Sequence, residues 1–119
     1  MTRFLLVPPA ITVAIVAFAA PAPAHHGWGS YDSTKTVKFQ AAIIDVKFEN
    51  PHVELVLEYQ GKKWTITLAP VFRMENRGLP QPSLVKGKTV TVEGYASKVH
   101  ENEMRIERII VDGKVVELR

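Results

Sequence analysis

Four histidines carry most of the metal or acid–base chemistry this sequence can offer. They fall in three places: His25-His26 behind an Ala-Pro-Ala tripeptide, His52 in "ENPH" and His100 in "KVHEN". Cysteine is absent, so there is no thiolate ligand, thiol nucleophile or disulfide, and a metal must be held by nitrogen, oxygen or methionine sulfur. A cut after Ala24 would make His25 the first residue. Its freed α-amine and its imidazole Nδ1 could then close a chelate ring on one ion, with another imidazole from the body completing a three-nitrogen histidine brace. Neutral nitrogens of this kind suit Cu(II) in tetragonal geometry, with zinc the second choice. They lose their protons near neutral pH, since an α-amine titrates at about 8 and a histidine at about 6.5. The plainer reading of each histidine is a solvated loop residue. His52, after the turn opener Asn50-Pro51, also fits a strand start with a backbone-directed hydrogen bond.

Around these positions stand Asp32, Glu49, Glu101 and Glu103, which could orient an imidazole or simply keep a loop region soluble. Met74 and Met104 could serve Cu(I), but both occupy apolar-phase positions that suit core packing better. Trp28 could cover a metal or ligand. Serines 30, 33, 83 and 97 have no glycine elbow or local base, and no phosphate-cradling glycine loop precedes a helix. The reading is therefore a binding protein and not an enzyme, with oxygen activation at a copper brace the one catalytic route in principle.

The segment ahead of His25 decides whether that amine exists. Residues 1–24 contain one charge, Arg3, an apolar run "FLLVPPAITVAIVAFAA" and a small-residue exit with Ala22 and Ala24 at the −3 and −1 positions, the pattern of a secretory signal peptide. Cutting after Ala22 would put Pro23 first, so the expected site is Ala24/His25. A retained anchor is the competing reading, but Pro8-Pro9 would interrupt a spanning helix and no basic stop-transfer cluster follows. The expected product is periplasmic or secreted and free of the membrane. It has 95 of the 119 residues, enough for one small domain. Removing one Arg and no acid leaves 14 basic against 12 acidic residues, +2 from the full chain's +3. That is too little positive charge to indicate nucleic acid.

The elements that must position the histidines follow from hydrophobic periodicity. Residues 25–36 are polar, glycine-rich and aperiodic, an N-terminal arm. "VKFQAAIIDVKFEN" alternates through Val37, Phe39, Ala41 and Ile43, then changes phase to Ile44, Val46 and Phe48, as a β-bulge near Ile43-Ile44 would require. Val53, Leu55, Leu57 and Tyr59 face a core and are followed by a turn at Gln60-Gly61-Lys62. The chain then returns with Trp64, Ile66 and Leu68 inward. "PVFRMENRG" predicts a helix of about two turns, "KTVTVEGYAS" and "EMRIERIIV" two more strands, and Asp112-Gly113 a turn into a short last strand. This order predicts an all-β fold over residues 37–119: a small five-stranded OB-like barrel with one short helix between strands 3 and 4. A two-sheet sandwich is the alternative. In such a barrel the loops carrying His52 and His100 are expected on one rim. Phe39, Tyr59 and Trp64 all lie in inward phase, which speaks against base stacking on nucleic acid.

The stretches His25-His26-Gly27, Tyr31-Asp32, Asn50-Pro51-His52, Arg77-Gly78-Leu79 and "LVKGKTVTVEGYASK" (residues 84–98) resemble a family of small exported bacterial proteins of unknown function. The resemblance spans nearly all of the chain after residue 24. This chain has Gly27 and Trp28 where that family more often has Ser and an apolar residue. The resemblance implies export and the barrel, and lends mild support to His25, His26 and His52 acting together. The leading expectation is a metal-binding or metal-handling protein, with copper the first ion and a metal ion the first partner. The runner-up is a metal-free envelope adaptor or solute-binding barrel whose rim meets an envelope protein or a small solute.

Overall fold

The computed structural model describes residues 2–7, 9–10 and 27–119. Most of the expected leader, and both His25 and His26, lie outside the described residues. Among the described residues no helix is long and apolar enough to cross a membrane.

Strand β1 (Val37–Lys47) is the bent spine of a closed barrel. Its first half pairs antiparallel with β4 (Thr89–Ala96), from Val37↔Gly94 to Ala42↔Thr89, and its second half with β2 (Glu54–Tyr59), from Ile43↔Leu57 to Lys47↔Glu54. The register slips between Ile43 and Asp45, where the apolar phase changes in the sequence. The extra residue bends the strand, so one strand serves both sides of the barrel. Strand β3 (Lys62–Thr67) returns beside β2 through Gln60 and Gly61, both at positive φ (52° and 76°), the geometry of a two-residue turn matched to strand twist. Closure is parallel: Thr65, Ile66 and Thr67 of β3 pair with Glu103, Met104 and Arg105 of β5 (Glu103–Val111). Along its other edge β5 pairs with β4. Past Glu107 the edge vacated by β3 is taken by β6 (Lys114–Glu117). The small all-β barrel expected from the sequence is present, with β6 covering an edge that would otherwise present unpaired backbone.

The inward phase is the expected one. Val53, Leu55, Leu57, Ile66, Val92, Met104, Ile106 and Ile109 have no exposed surface, and each fully buried aliphatic side chain of this size contributes roughly 1.5–3 kcal/mol. Met74 and Met104 both belong to this core, which accounts for them without a metal. Helix α1 is Val71–Asn76, the roughly two turns expected, with Pro70 as its cap residue. It ends in a Schellman motif. The Leu79 amide donates to the Met74 carbonyl (2.8 Å) and the Gly78 amide to the Glu75 carbonyl (3.1 Å), with Gly78 at φ 85°. Met74 and Leu79 are both buried and so supply the apolar contact that accompanies this cap. The helix is thereby pinned at its C-terminal end.

Gly94 marks the tightest backbone approach. A Cβ there would overlap the Arg105 carbonyl and the Ile106 backbone, beside the register shift between Glu93 and Gly94. Gly94→Ala is expected to destabilise the fold by about 1–3 kcal/mol or more. Gly29→Ala, which meets nothing within 4 Å, should stay within about 0.5 kcal/mol of the parent. Urea denaturation of both variants checks this, and equal midpoints would contradict the close approach.

Candidate functional site

The arm preceding β1 is docked. A 3-10 turn over Gly27–Ser30 leads into an isolated bridge between Tyr31 and Ser97. The Asp32 amide donates to the Ala96 carbonyl (2.9 Å) and the Lys98 amide to the Ser30 carbonyl (2.8 Å). The Tyr31 hydroxyl donates to Glu103 Oε1 at 3.0 Å. Asp32 accepts from the amide and hydroxyl of Thr34. These bonds, chiefly the one from the Thr34 hydroxyl, hold its carboxyl below the usual carboxylate range. Glu49 is engaged in an ion pair with Lys47 at 3.4 Å. Three of the acids considered as histidine partners thus have other contacts.

Trp28 is the anchor of the arm. Its ring makes edge contacts with Tyr31 (6.5 Å) and Tyr95 (6.2 Å), and two guanidinium groups lie against it, Arg105 at 4.3 Å and Arg119 at 4.6 Å from the centroid. Tyr95 and Arg105 are register partners on β4 and β5, and Thr67 is the partner of Arg105 on β3. The arm therefore covers the outward face of the seam where the barrel closes. Arg73 joins from α1, its Nη1 donating to the Leu118 carbonyl at 3.2 Å. Arg119 is balanced by Glu107, at 2.8 Å, and that bond holds the Glu107 carboxyl below its ordinary range. Arg105 is 8% exposed, and its Nε is buried with no hydrogen-bond partner among the described residues. Burial lowers its pKa, and the neighbouring Arg73 and Arg119 act in the same direction.

His52 and His100 do not share a rim. The Val53 amide donates to the Ala69 carbonyl and the Leu68 amide to the Val53 carbonyl, so the loop between β1 and β2 abuts the C-terminal end of β3 and the start of α1. Asn50 Oδ1 accepts from the Val71 amide there. His100 instead lines an open cleft of about 320 Å³ with Lys62, Trp64, Ser97, Glu101 and Glu103, at the N-terminal end of β3. The six residues of β3 separate the two ends, which is roughly 16 Å at the strand rise. The shared rim fails because the strand-1–2 and strand-4–5 loops of this barrel flank β3 from opposite ends. His52 precedes the inward Val53 and so shares the outward phase of Glu54. Glu54 pairs with Thr67, and Thr67 with Arg105, so the chain enters β2 from His52 two strands away from Arg105. Among the described residues no group of three or more histidines and acids could hold a metal.

Sequence reasoning finds Tyr31, Trp28 and the loop histidines but passes over Arg73, Arg105 and Arg119. Arg105 alternates with Met104 and Ile106 as an outward strand residue should. Nothing local in the sequence signals that an arm far upstream folds over it.

Tyr31 reports the docking directly. Its hydroxyl is pushed up to about 12 from 10.0, by burial first and by the Glu103 carboxylate second. Because the folded value is the higher one, the stability this group contributes is complete below pH 10 and is lost as pH rises towards 12. A tyrosinate absorbance titration is expected to show a late component near pH 12 that disappears in Tyr31→Phe. An identical curve for the two proteins, after correction for one tyrosine, would show that the arm is not held in this way.

No curated protein matches this chain. Among solved structures it is similar to the ZRD-deleted mutant of TiaS in complex with agmatine (TM-score 0.52, 16% identity, covering 73% of this chain and 27% of that one). It is also similar to a complex of TiaS with an isoleucine tRNA and ATP (TM-score 0.49, 17% identity, covering 75% of this chain and 20% of that one). The chain spans about a quarter of the length of the first structure, and at this identity the likeness concerns the fold of the barrel alone. A sequence family of unknown function does match, over residues 13–104, a span that takes in the arm, both histidine loops and the barrel up to the start of β5. The chain belongs to that family, DUF6152.

Proposed function

We propose that this is an exported, non-catalytic metal-handling protein that takes copper through the amine and imidazole of a processed His25, with His26 and His52 as its neighbours. The docked arm carries the reading. Ser30, Tyr31 and Asp32 are tied by backbone bonds to Ala96, Ser97 and Lys98, and Trp28 is clamped against Arg105 and Arg119. A chain end that begins just before Trp28 would thus start from a fixed point beside the β3–β5 seam. An ordered arm also lowers the entropy lost when a terminal amine is fixed on an ion. His100 sits too far along β3 for that group. It belongs with a second reading, in which the cleft lined by Lys62, Trp64, His100 and Glu101 receives a small polar solute or an envelope partner and the histidines bind no metal.

Mass spectrometry of the secreted form should give a first residue of His25. Cu(II) titration of that form is expected to give tight one-to-one binding. A form with one extra Met ahead of His25 should bind far more weakly, since losing a chelating nitrogen costs more than the roughly 10- to 100-fold of a lost outer partner. His52→Ala should weaken binding and His100→Ala should not. Equal affinity with and without the extra Met rejects the brace, and no binding by either form favours the solute or adaptor reading.

A further inference from the structure

Arg105, whose Nε is buried without a hydrogen-bond partner among the described residues, is the least explained charge in the barrel. Burying a charge is costly unless it is paired and hydrogen-bonded. Other arginines here have such partners: Arg108 reaches Glu93, Glu107 and Glu117, and Arg119 reaches Glu107. Arg105 makes no salt bridge and no side-chain hydrogen bond among the described residues, and Arg73 donates only to the Leu118 carbonyl. Trp28 lies 4.3 Å from the Arg105 guanidinium carbon. A ring in that position attracts the positive charge but accepts none of the guanidinium's N–H donors.

We propose that Arg105 and Arg73, with Arg119 at the edge, form a binding site for a small oxoanion of phosphate or sulfate type beneath the arm. Glu107 already neutralises Arg119, which leaves two uncompensated guanidinium charges, and a dianion matches them better than a single carboxylate. Guanidinium forks present paired N–H donors at the spacing of oxoanion oxygens. A bound anion would supply the missing partner of Arg105 and fasten Trp28, and with it the arm, over the seam. The site does not depend on copper or on processing at His25.

The test uses the mature protein in a phosphate-free buffer, with inorganic phosphate added at constant ionic strength and chloride as the control salt. Phosphate is expected to raise the melting temperature saturably, to shift the Arg105 Nε–H resonance and to change Trp28 fluorescence with the same midpoint. Arg73→Gln, a half-buried position, should weaken phosphate binding at least tenfold while the protein stays folded. Arg105→Met should abolish the response and, in the phosphate-free buffer, melt no lower than the parent. Vesicles containing phosphatidic acid separate the sources of the anion. Flotation that free phosphate competes away identifies a lipid headgroup, whereas a response to free phosphate without flotation identifies a solute, and either supports the site. The proposal is overturned if phosphate and chloride act alike, or if Arg73→Gln responds as strongly as the parent.

Discussion

Closure of the barrel through three parallel residue pairs between β3 and β5 is the constraint on which the rest depends. A sheet with strand order β3-β2-β1-β4-β5-β6 would leave β3 as an open edge. The pairing of Thr65, Ile66 and Thr67 with Glu103, Met104 and Arg105 removes that edge and brings Ile66 and Met104 into one core. The same seam turns Thr67, Glu103 and Arg105 outward as a row, and the arm is built across that row. Tyr31 bonds to Glu103, and Trp28 lies against Arg105. The closure of the fold and the position of the candidate site are one event.

The bend of β1 makes this closure possible. Antiparallel neighbours hold β1 on both sides, but each holds a different half: β4 the stretch before Ile43, β2 the stretch after it. Without the bulge at Ile44 the strand would run straight and a six-stranded sheet would remain open. At the far side Gly94 lets β4 come close enough to β5 for a second register shift. Two added residues, Ile44 in β1 and Glu107 in β5, therefore shape the barrel, the second opposite the bare Gly94.

How much of this is legible in the sequence depends on range. The phase change at Ile43-Ile44, the Gln60-Gly61 turn, the inward series Val53-Leu55-Leu57 and the glycine that stops α1 are local patterns, and each is found where the pattern puts it. Pro70 marks the helix start as its sequence context implies, from the cap position. The relation between His52 and His100 is a matter of barrel geometry. Loop labels alone do not reveal that β3 lies between them, and for that reason they join two histidines that the fold keeps apart. Arg105 is invisible for a different reason. An outward arginine in a strand is ordinary until some distant segment buries it, and only the tertiary pairing of Tyr31 with Ser97 shows that this has happened.

If both proposals hold, the metal and the anion bear on each other electrostatically. Like charges repel most strongly where water is scarce, so a cation bound beside the arm would feel Arg73 and Arg105 as a penalty if they stood bare. Neutral nitrogen ligands do nothing to offset that field, because they leave the ion its full charge. An oxoanion seated on the two guanidiniums would cancel it and at the same time clamp Trp28, the residue that sets the direction of the chain leading back to His25. On the two proposals taken together, anion and metal would therefore bind with positive coupling, each favouring the same docked arm, and by linkage each would tighten the other to the same degree. The sign of that coupling thus follows from the anion's charge together with the arm that it fastens.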